Sequence, residues 1–247
     1  MEIIRKLEKP VFETRPLYLQ IFDRLLDYIA DGTWKSGAMV PNEIELARTF
    51  GVSVGTMRKA LQALSERGLL TRRQGRGTYV SEMPSGESPS LDNLRTRRMD
   101  ALTWEIKSIQ VTSGLADDDE QRALSLTDGT SVVRIRKVLA DTANDTHVLE
   151  YCRYPSQRFE NLEKDTAAHT MPLGALARRY GLLAAPASEQ LELHLADGKQ
   201  AKLLEVTQGA PLLQLTRIVT CFDHVPIEFR VAFCRLGANA IYAYQLR

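Results

Sequence analysis

The sequence predicts a two-part α+β chain: an N-terminal helical domain closed by a small β-hairpin, then a C-terminal antiparallel sheet with helices against it. Three observations carry this. Between residues 17 and 68 apolar side chains recur at helical spacing, in runs punctuated by caps and glycines. From Ser131 onward the pattern changes to period-two alternation broken by short turns. Between the halves, residues 81–90 read SEMPSGESPS, with too little apolar surface for a core. The expected organisation is a first domain over 1–80, a linker over 81–100 and a second domain over 101–247. No internal repeat is evident at this level.

In the first domain, Leu17, Ile21, Leu25 and Ile29 recur at i+4, Tyr18, Phe22 and Leu26 widen the stripe, and Gly32 ends the helix. Asn42 offers an N-cap, with Glu45 three residues on as in a capping box. Ile44, Ala47 and Phe50 give that second helix a short apolar face, and Gly51 its left-handed C-terminal position. Ser53 caps a third helix closed by Gly68. Two short helices joined by so tight a turn match a helix-turn-helix. Leu69–Arg73 and Thr78–Val80 then read as two strands around the glycine turn of a β-wing.

The composition narrows the function. Hydrophobic residues make up 44% and charged residues 26%, which excludes a mostly disordered chain. No apolar run is long enough to span a bilayer, and the first residues lack a signal core, so a cytoplasmic location without a membrane partner is expected. Cys152, Cys221 and Cys234 form no CxxC pair, and His147, His169, His194 and His224 have no ligand spacing, so neither metal nor cofactor is expected. No nucleophile–base–orienter set is present, and no catalytic residue is assigned. With a net charge of +1, affinity for nucleic acid must come from a local patch. Between Arg58 and Arg76 there are six cations, and Glu66 is the single acid.

On the third helix Met57, Ala60, Leu61 and Leu64 share one side, while Gly55, Lys59 and Gln62 point away, with Thr56 and Arg58 on the flanks. A small residue, a hydroxyl, two cations and an amide are what a helix entering a major groove needs. The candidate DNA contacts are Ser53, Gly55, Thr56, Arg58, Lys59 and Gln62 on the helix, with Arg72, Arg73, Arg76 and Gly77 on the wing. Arg76 is the cation for the minor groove or backbone, and Arg72 and Arg73 are phosphate contacts. The competing reading is a solvated charged face; the capped helix before it and the basic wing after it argue against that.

Residues 16–80 resemble the winged helix-turn-helix of the GntR family of bacterial transcription regulators. The matching pieces include Val40-Pro41-Asn42-Glu43, Phe50-Gly51-Val52-Ser53, Thr56-Met57-Arg58-Lys59-Ala60-Leu61 and Gly75-Arg76-Gly77-Thr78-Tyr79-Val80. Val54 stands where many members have a base-reading arginine.

In the second domain, Ser131–Leu139, His147–Tyr154, Ser188–Ala196, Pro211–Phe222 and Ile227–Arg235 read as strands. Short helices are expected near Leu173–Tyr180 and Gln200–Val206. The pattern is similar to the UTRA domain of the HutC-like subgroup, whose fold is like that of chorismate lyase. The likeness rests on Val133-Arg134-Ile135-Arg136, Glu150 before Tyr154-Pro155, Tyr180-Gly181, the run Ala210–Arg217 and Pro226-Ile227-Glu228. It implies an effector site of Arg134, Arg136, Glu150 and Glu228, to which Arg230 is added because it shares a strand face with Glu228. Arg134 and Arg136 suit a carboxylate or phosphate held in fork geometry, hence an anionic effector; the competing reading is a cross-strand ion-pair ladder on a solvated face. Taken together, the resemblance implies a homodimeric, ligand-responsive repressor on a pseudo-palindromic operator of double-stranded DNA. The alternatives are a second domain that only dimerises, or a lyase-like enzyme fused to a DNA-binding module.

Overall fold

The structure, a computed structural model, describes residues 16–30, 32–81, 91, 93–185, 187–222 and 224–243. The described residues divide into two compact units, an N-terminal one that also takes in Ala177–Leu183, a segment expected in the second domain, and a C-terminal one. The Ser/Pro/Gly stretch expected as the linker lies, from residue 82 to 90, outside the described residues.

In the N-terminal unit, α1 (Leu17–Ala30) buries Ile21, Phe22, Leu25 and Ile29, while Leu17 stays exposed. Asn42 caps α2 (Glu43–Phe50), its side chain accepting from the Glu45 amide at 2.9 Å. The expected capping box is only half formed, because the Glu45 carboxylate accepts from the side-chain amide of Asn42 and not from its backbone. Gly51, at φ 69°, ends α2: its amide donates to Arg48 O and that of Val52 to Ala47 O, a Schellman closure. Gly68 and Leu69 repeat this device after α3 (Val54–Glu66), where the Gly68 amide donates to Ser65 O and that of Leu69 to Leu64 O. Leu46, Phe50, Met57, Leu61 and Leu64 fill the core beside Trp34. A strand that the sequence pattern did not announce, β1 (Met39–Val40), joins the hairpin β2 (Leu70–Arg73) and β3 (Gly77–Val80) in the order β1-β3-β2.

The C-terminal unit is a six-stranded antiparallel sheet. Its strands are β5 (Glu105–Leu115), β6 (Ser131–Asp141), β7 (Thr146–Pro155), β8 (Glu189–Leu195), β9 (Pro211–Thr220) and β10 (Pro226–Arg235), ordered β5-β6-β7-β10-β9-β8. Helices α4 (Asp118–Leu124) and α6 (Gly198–Leu204) cover one face, packing on Val132, Val138, Leu149, Leu212 and Phe233. The short helix α5 (Leu173–Arg179) lies between β7 and β8 in sequence. The other face packs Leu139, Val148, Leu215 and Ala232 against Leu94, Leu102 and Ala240, beside a two-stranded ribbon of β4 (Leu94–Thr96) and β11 (Ala240–Tyr242). Residues 94–96, within the stretch expected to link the domains, are therefore built into this unit.

The sheet is an internal duplication, which corrects the expectation of no repeat. LADDDEQRALSLTDG (residues 115–129) and LADGKQAKLLEVTQG (195–209) build the same turn of chain. Asp117 with Glu120, and Asp197 with Gln200, form full capping boxes. Ser125 and Glu205 then close their helices in the left-handed conformation, at φ 52° and 55°. The strand order mirrors this: β5-β6-β7 and, reversed, β10-β9-β8. The first copy hides because β5, at the sheet edge, is exposed along most of its length and carries no clean alternation.

Gly237, just after β10, locks the hairpin between β6 and β7. A Cβ there would lie 2.0 Å from Asn144 O and 2.9 Å from Asp145 O, while its amide donates to Thr146 Oγ1 at 3.2 Å. Backbone cannot yield as a flexible side chain does. Gly237→Ala is expected to destabilise the protein by at least about 1–3 kcal/mol, the usual cost of overpacking. A urea midpoint equal to that of the parent would contradict this reading.

Candidate nucleic-acid interface and ligand cavity

Ser53 accepts from the Thr56 amide at 3.1 Å, and the two hydroxyls lie 2.9 Å apart, so both serve the start of α3. Met57, Ala60, Leu61 and Leu64 are buried, whereas Gly55, Arg58, Lys59 and Gln62 are exposed, as helical periodicity predicts. A Cβ on Gly55 would meet nothing nearer than Ser53 Oγ at 3.7 Å. The fold itself does not require glycine there. On the wing, Arg76 sits at the exposed turn and its carbonyl accepts from Tyr79 OH at 3.0 Å, while the Arg73 guanidinium lies 4.6 Å from the Tyr79 ring. Gly77, at φ 107°, backs onto Met39, whose Cε lies 2.8 Å from where a Cβ would be.

One residue of this face is not legible in the linear sequence. Glu43, in the first turn of α2, accepts from Arg58 Nε at 2.8 Å and lies 3.8 Å from Arg72 Nη2. Glu43 lies outside the stretch from Arg58 to Arg76 and reaches its cations only through the fold. Two of the expected DNA contacts are thus held together by one acid.

In the C-terminal unit, strand parity decides which charges meet. Lys137 on β6 lies opposite Glu150 on β7; Arg230 on β10 lies opposite Cys152 on β7 and Arg217 on β9. All of these face the ribbon side. Arg230 Nε donates to Glu150 Oε1, and Lys137 Nζ lies 3.6 Å from Glu150 Oε2. Arg217 Nη2 and Tyr154 OH donate to Glu228 at 2.7 and 3.1 Å, and Arg230 Nη1 lies 3.7 Å from Glu189 Oε1. Next to this network is a cavity of about 320 Å³ whose polar lining includes Lys137, Glu150, Tyr154 and Glu228, against Trp104 and Met171.

Glu150, Glu228 and Arg230 are brought together, with Glu150 and Glu228 lining the cavity. Arg134 and Arg136 are not: one residue out of step with Lys137, they point to the helix face, where Arg134 binds Glu120 at 2.6 and 2.5 Å. The expected single group of five is corrected on that point. The cation among the cavity's lining residues is Lys137, which the sequence pattern hides beside two arginines. Its signal is present in the parity of the strand. Nor is the ion-pair ladder solvated, since Glu150, Arg217, Glu228 and Arg230 are all buried.

Burial alone would raise the Glu150 carboxyl, but the charges of Arg230 and Lys137 outweigh it and hold the group at about 2. Burial likewise works against the Lys137 ammonium, and Glu150 overcomes it, leaving Lys137 raised. Burial pushes the Cys152 thiol up to about 12, so it stays protonated and unreactive at neutral pH.

Two family models match. The one for bacterial regulatory proteins of the gntR family covers residues 17–80, and the one for the UTRA domain covers 101–238. The chain belongs to the gntR family and carries a UTRA domain. Among curated relatives of this gntR regulator, the HTH-type transcriptional repressor NagR of Bacillus subtilis is 29% identical over 87% of this chain and 90% of the relative. A histidine utilization repressor of Pseudomonas aeruginosa is 30% identical over 82% of this chain and 80% of the relative. Among solved structures, PhnF from Mycobacterium smegmatis is 24% identical, with a TM-score of 0.52 over 94% of this chain and 99% of its own, a likeness of fold. Because the family consists of regulatory proteins, the reading of the second half as a lyase-like enzyme gives way.

The buried carboxylate yields a test with a defined sign. Glu150→Leu leaves Arg230 and Lys137 short of countercharge in a buried site, which is expected to cost about 3–5 kcal/mol at neutral pH. The stability that depends on ionised Glu150 is complete above its ordinary value of 4.5 and is lost as the pH falls toward about 2. The gap in melting temperature between parent and variant should therefore narrow below pH 4.5. A gap independent of pH would contradict the assignment.

Proposed function

We propose that this gntR-family protein acts in the cytoplasm as a homodimeric repressor whose hold on a pseudo-palindromic operator is set by a small molecule in the cavity of the UTRA domain. Each N-terminal unit lays α3 in a major groove, with Gly55 permitting close approach and Arg58, Lys59 and Gln62 reaching bases or phosphates. Arg76 at the wing tip meets the adjacent backbone or minor groove. The observation that carries the reading is the division of α3 into a wholly buried apolar side and an exposed side of Gly55, Arg58, Lys59 and Gln62.

The cavity suits an effector that donates hydrogen bonds. Two of its lining residues are carboxylates, and the ammonium of Lys137 is already drawn to one of them. An amine- or hydroxyl-bearing metabolite, with an acidic group for Lys137 and an apolar part for Trp104 and Met171, matches this wall better than a simple anion. The relative named for histidine utilization makes amino acids the first compounds to screen. Dimerisation is supported by the edge strand β8, where Leu191, Leu193 and Leu195 form an exposed apolar row on one face that a second copy would cover. Effector coupling of roughly 1–3 kcal/mol would change operator affinity about 5–150-fold.

Two outcomes are expected once an operator has been selected from a random duplex pool. Arg58→Ala and Arg76→Ala each weaken binding in a gel shift without lowering the melting temperature; unchanged affinity for both variants sinks the interface. Glu43→Gln releases Arg58 and Arg72, strengthens duplex binding and steepens its salt dependence, by about 0.9 in the log–log slope for each further phosphate neutralised. A slope equal to the parent's would mean that Glu43 does not restrain these cations.

A further inference from the structure

Arg134 and Arg136, which face away from the ligand cavity, belong to a second group of charges. The register sets Gln110, Arg136 and Tyr151 in one row across β5, β6 and β7, and Thr112, Arg134 and Arg153 in the next, all on the helix face. Lys199, in the first turn of α6, completes a pocket of about 170 Å³. Four cations line it and no acid does. Glu120, buried in α4, binds Arg134 and also lies 3.5 Å from Arg153 Nε, so one carboxylate serves two guanidiniums. Among the described residues, Arg136 and Lys199 have no carboxylate within ion-pair distance. Arg134 and Arg153 face each other directly across the strand pair, an arrangement of like charges that costs stability.

The internal duplication provides a control. Where the first copy has Arg134 and Arg136, the second has Gln214 and Thr216. Facing them across the strands are Phe233 and Val231, in the places of Arg153 and Tyr151. The helix position equivalent to Lys199 is Asp119. The same architecture stands without the cations, so the fold does not demand them. We infer that this pocket is an anion site on the helix face of the sheet, binding a phosphate or carboxylate group through Arg136 and Lys199, with Arg153 and the Tyr151 hydroxyl beside them. It is separated from the cavity by the sheet itself and does not depend on what the cavity binds. Guanidinium and ammonium donors around so small a space fit a phosphate or a short dicarboxylate and exclude a nucleotide.

The test titrates inorganic phosphate and, separately, malonate into the full chain at constant ionic strength, followed by melting temperature and calorimetry. Saturable binding of at least one of them is expected, weakened at least tenfold in the double variant Arg136→Gln/Lys199→Gln and kept in Lys202→Gln, which removes an exposed cation of the same helix outside the pocket. The arm that saturates tells a phosphoryl from a carboxylate ligand. Arg136 is half-buried and Lys199 exposed, and an unchanged circular dichroism spectrum checks that the double variant folds. No saturable response to either anion, or a response that the double variant retains in full, overturns the site.

Discussion

Inside the C-terminal sheet, Lys137, Arg217 and Arg230 face Glu150, Glu189 and Glu228 with almost no water to share their charge. Three cations against three carboxylates make the group neutral as a whole, and that balance is the condition on which this half of the molecule depends. A buried ion lacking its partner costs several kcal/mol, whereas a buried pair gains little over a well-packed apolar core. Such a network is therefore an inefficient way to stabilise a sheet. It is better understood as a polar wall whose members are held in place by one another, with Lys137, Glu150 and Glu228 presented to an adjoining cavity. On the proposed reading, a ligand that bonds to any of these three would alter the balance for the others and so act on the strands that carry them.

The N-terminal unit follows a different rule. Arg58, Lys59, Arg72, Arg73 and Arg76 are exposed, and the Arg58–Glu43 pair at the surface contributes a fraction of a kcal/mol. Phosphates compete readily for such arginines. Rigidity comes from the turns instead: two Schellman closures, at Gly51 and Gly68, and the caps at Asn42 and Ser53 fix α2 and α3 while leaving the cationic face free. One unit thus holds its charges strongly inside and the other holds them weakly outside, as ligand sensing and DNA binding respectively require.

Much of this is legible in the sequence because periodicity and capping are local. The stripe of α1, the caps of α2 and α3 and the wing can be read directly, as can most long strands of the sheet. What escapes depends on a distant segment of the chain. β1 is two residues long and exists only through its pairing with β3. β5 lies at an edge with polar residues on both sides, so its pattern shows neither a buried face nor the repeat it begins. The site is half legible. Glu150, Glu228 and Arg230 share a side, but placing Arg134 and Arg136 with them ignores that the register sets Lys137, not its neighbours, opposite Glu150. Glu43 looks like an ordinary helix-start acid, and its second role emerges only when α2 and β2 are folded against α3.

The central claim is that duplex DNA meets the exposed side of α3 and the tip of the hairpin. Its most direct test is a hydrogen-exchange footprint of the full chain on a selected operator duplex against a scrambled duplex of equal length and charge. The account predicts operator-dependent protection in the N-terminal unit confined to residues 53–62 and 72–77. Protection of α1 or the sheet edges, with residues 53–62 exchanging as in the free protein, would contradict it.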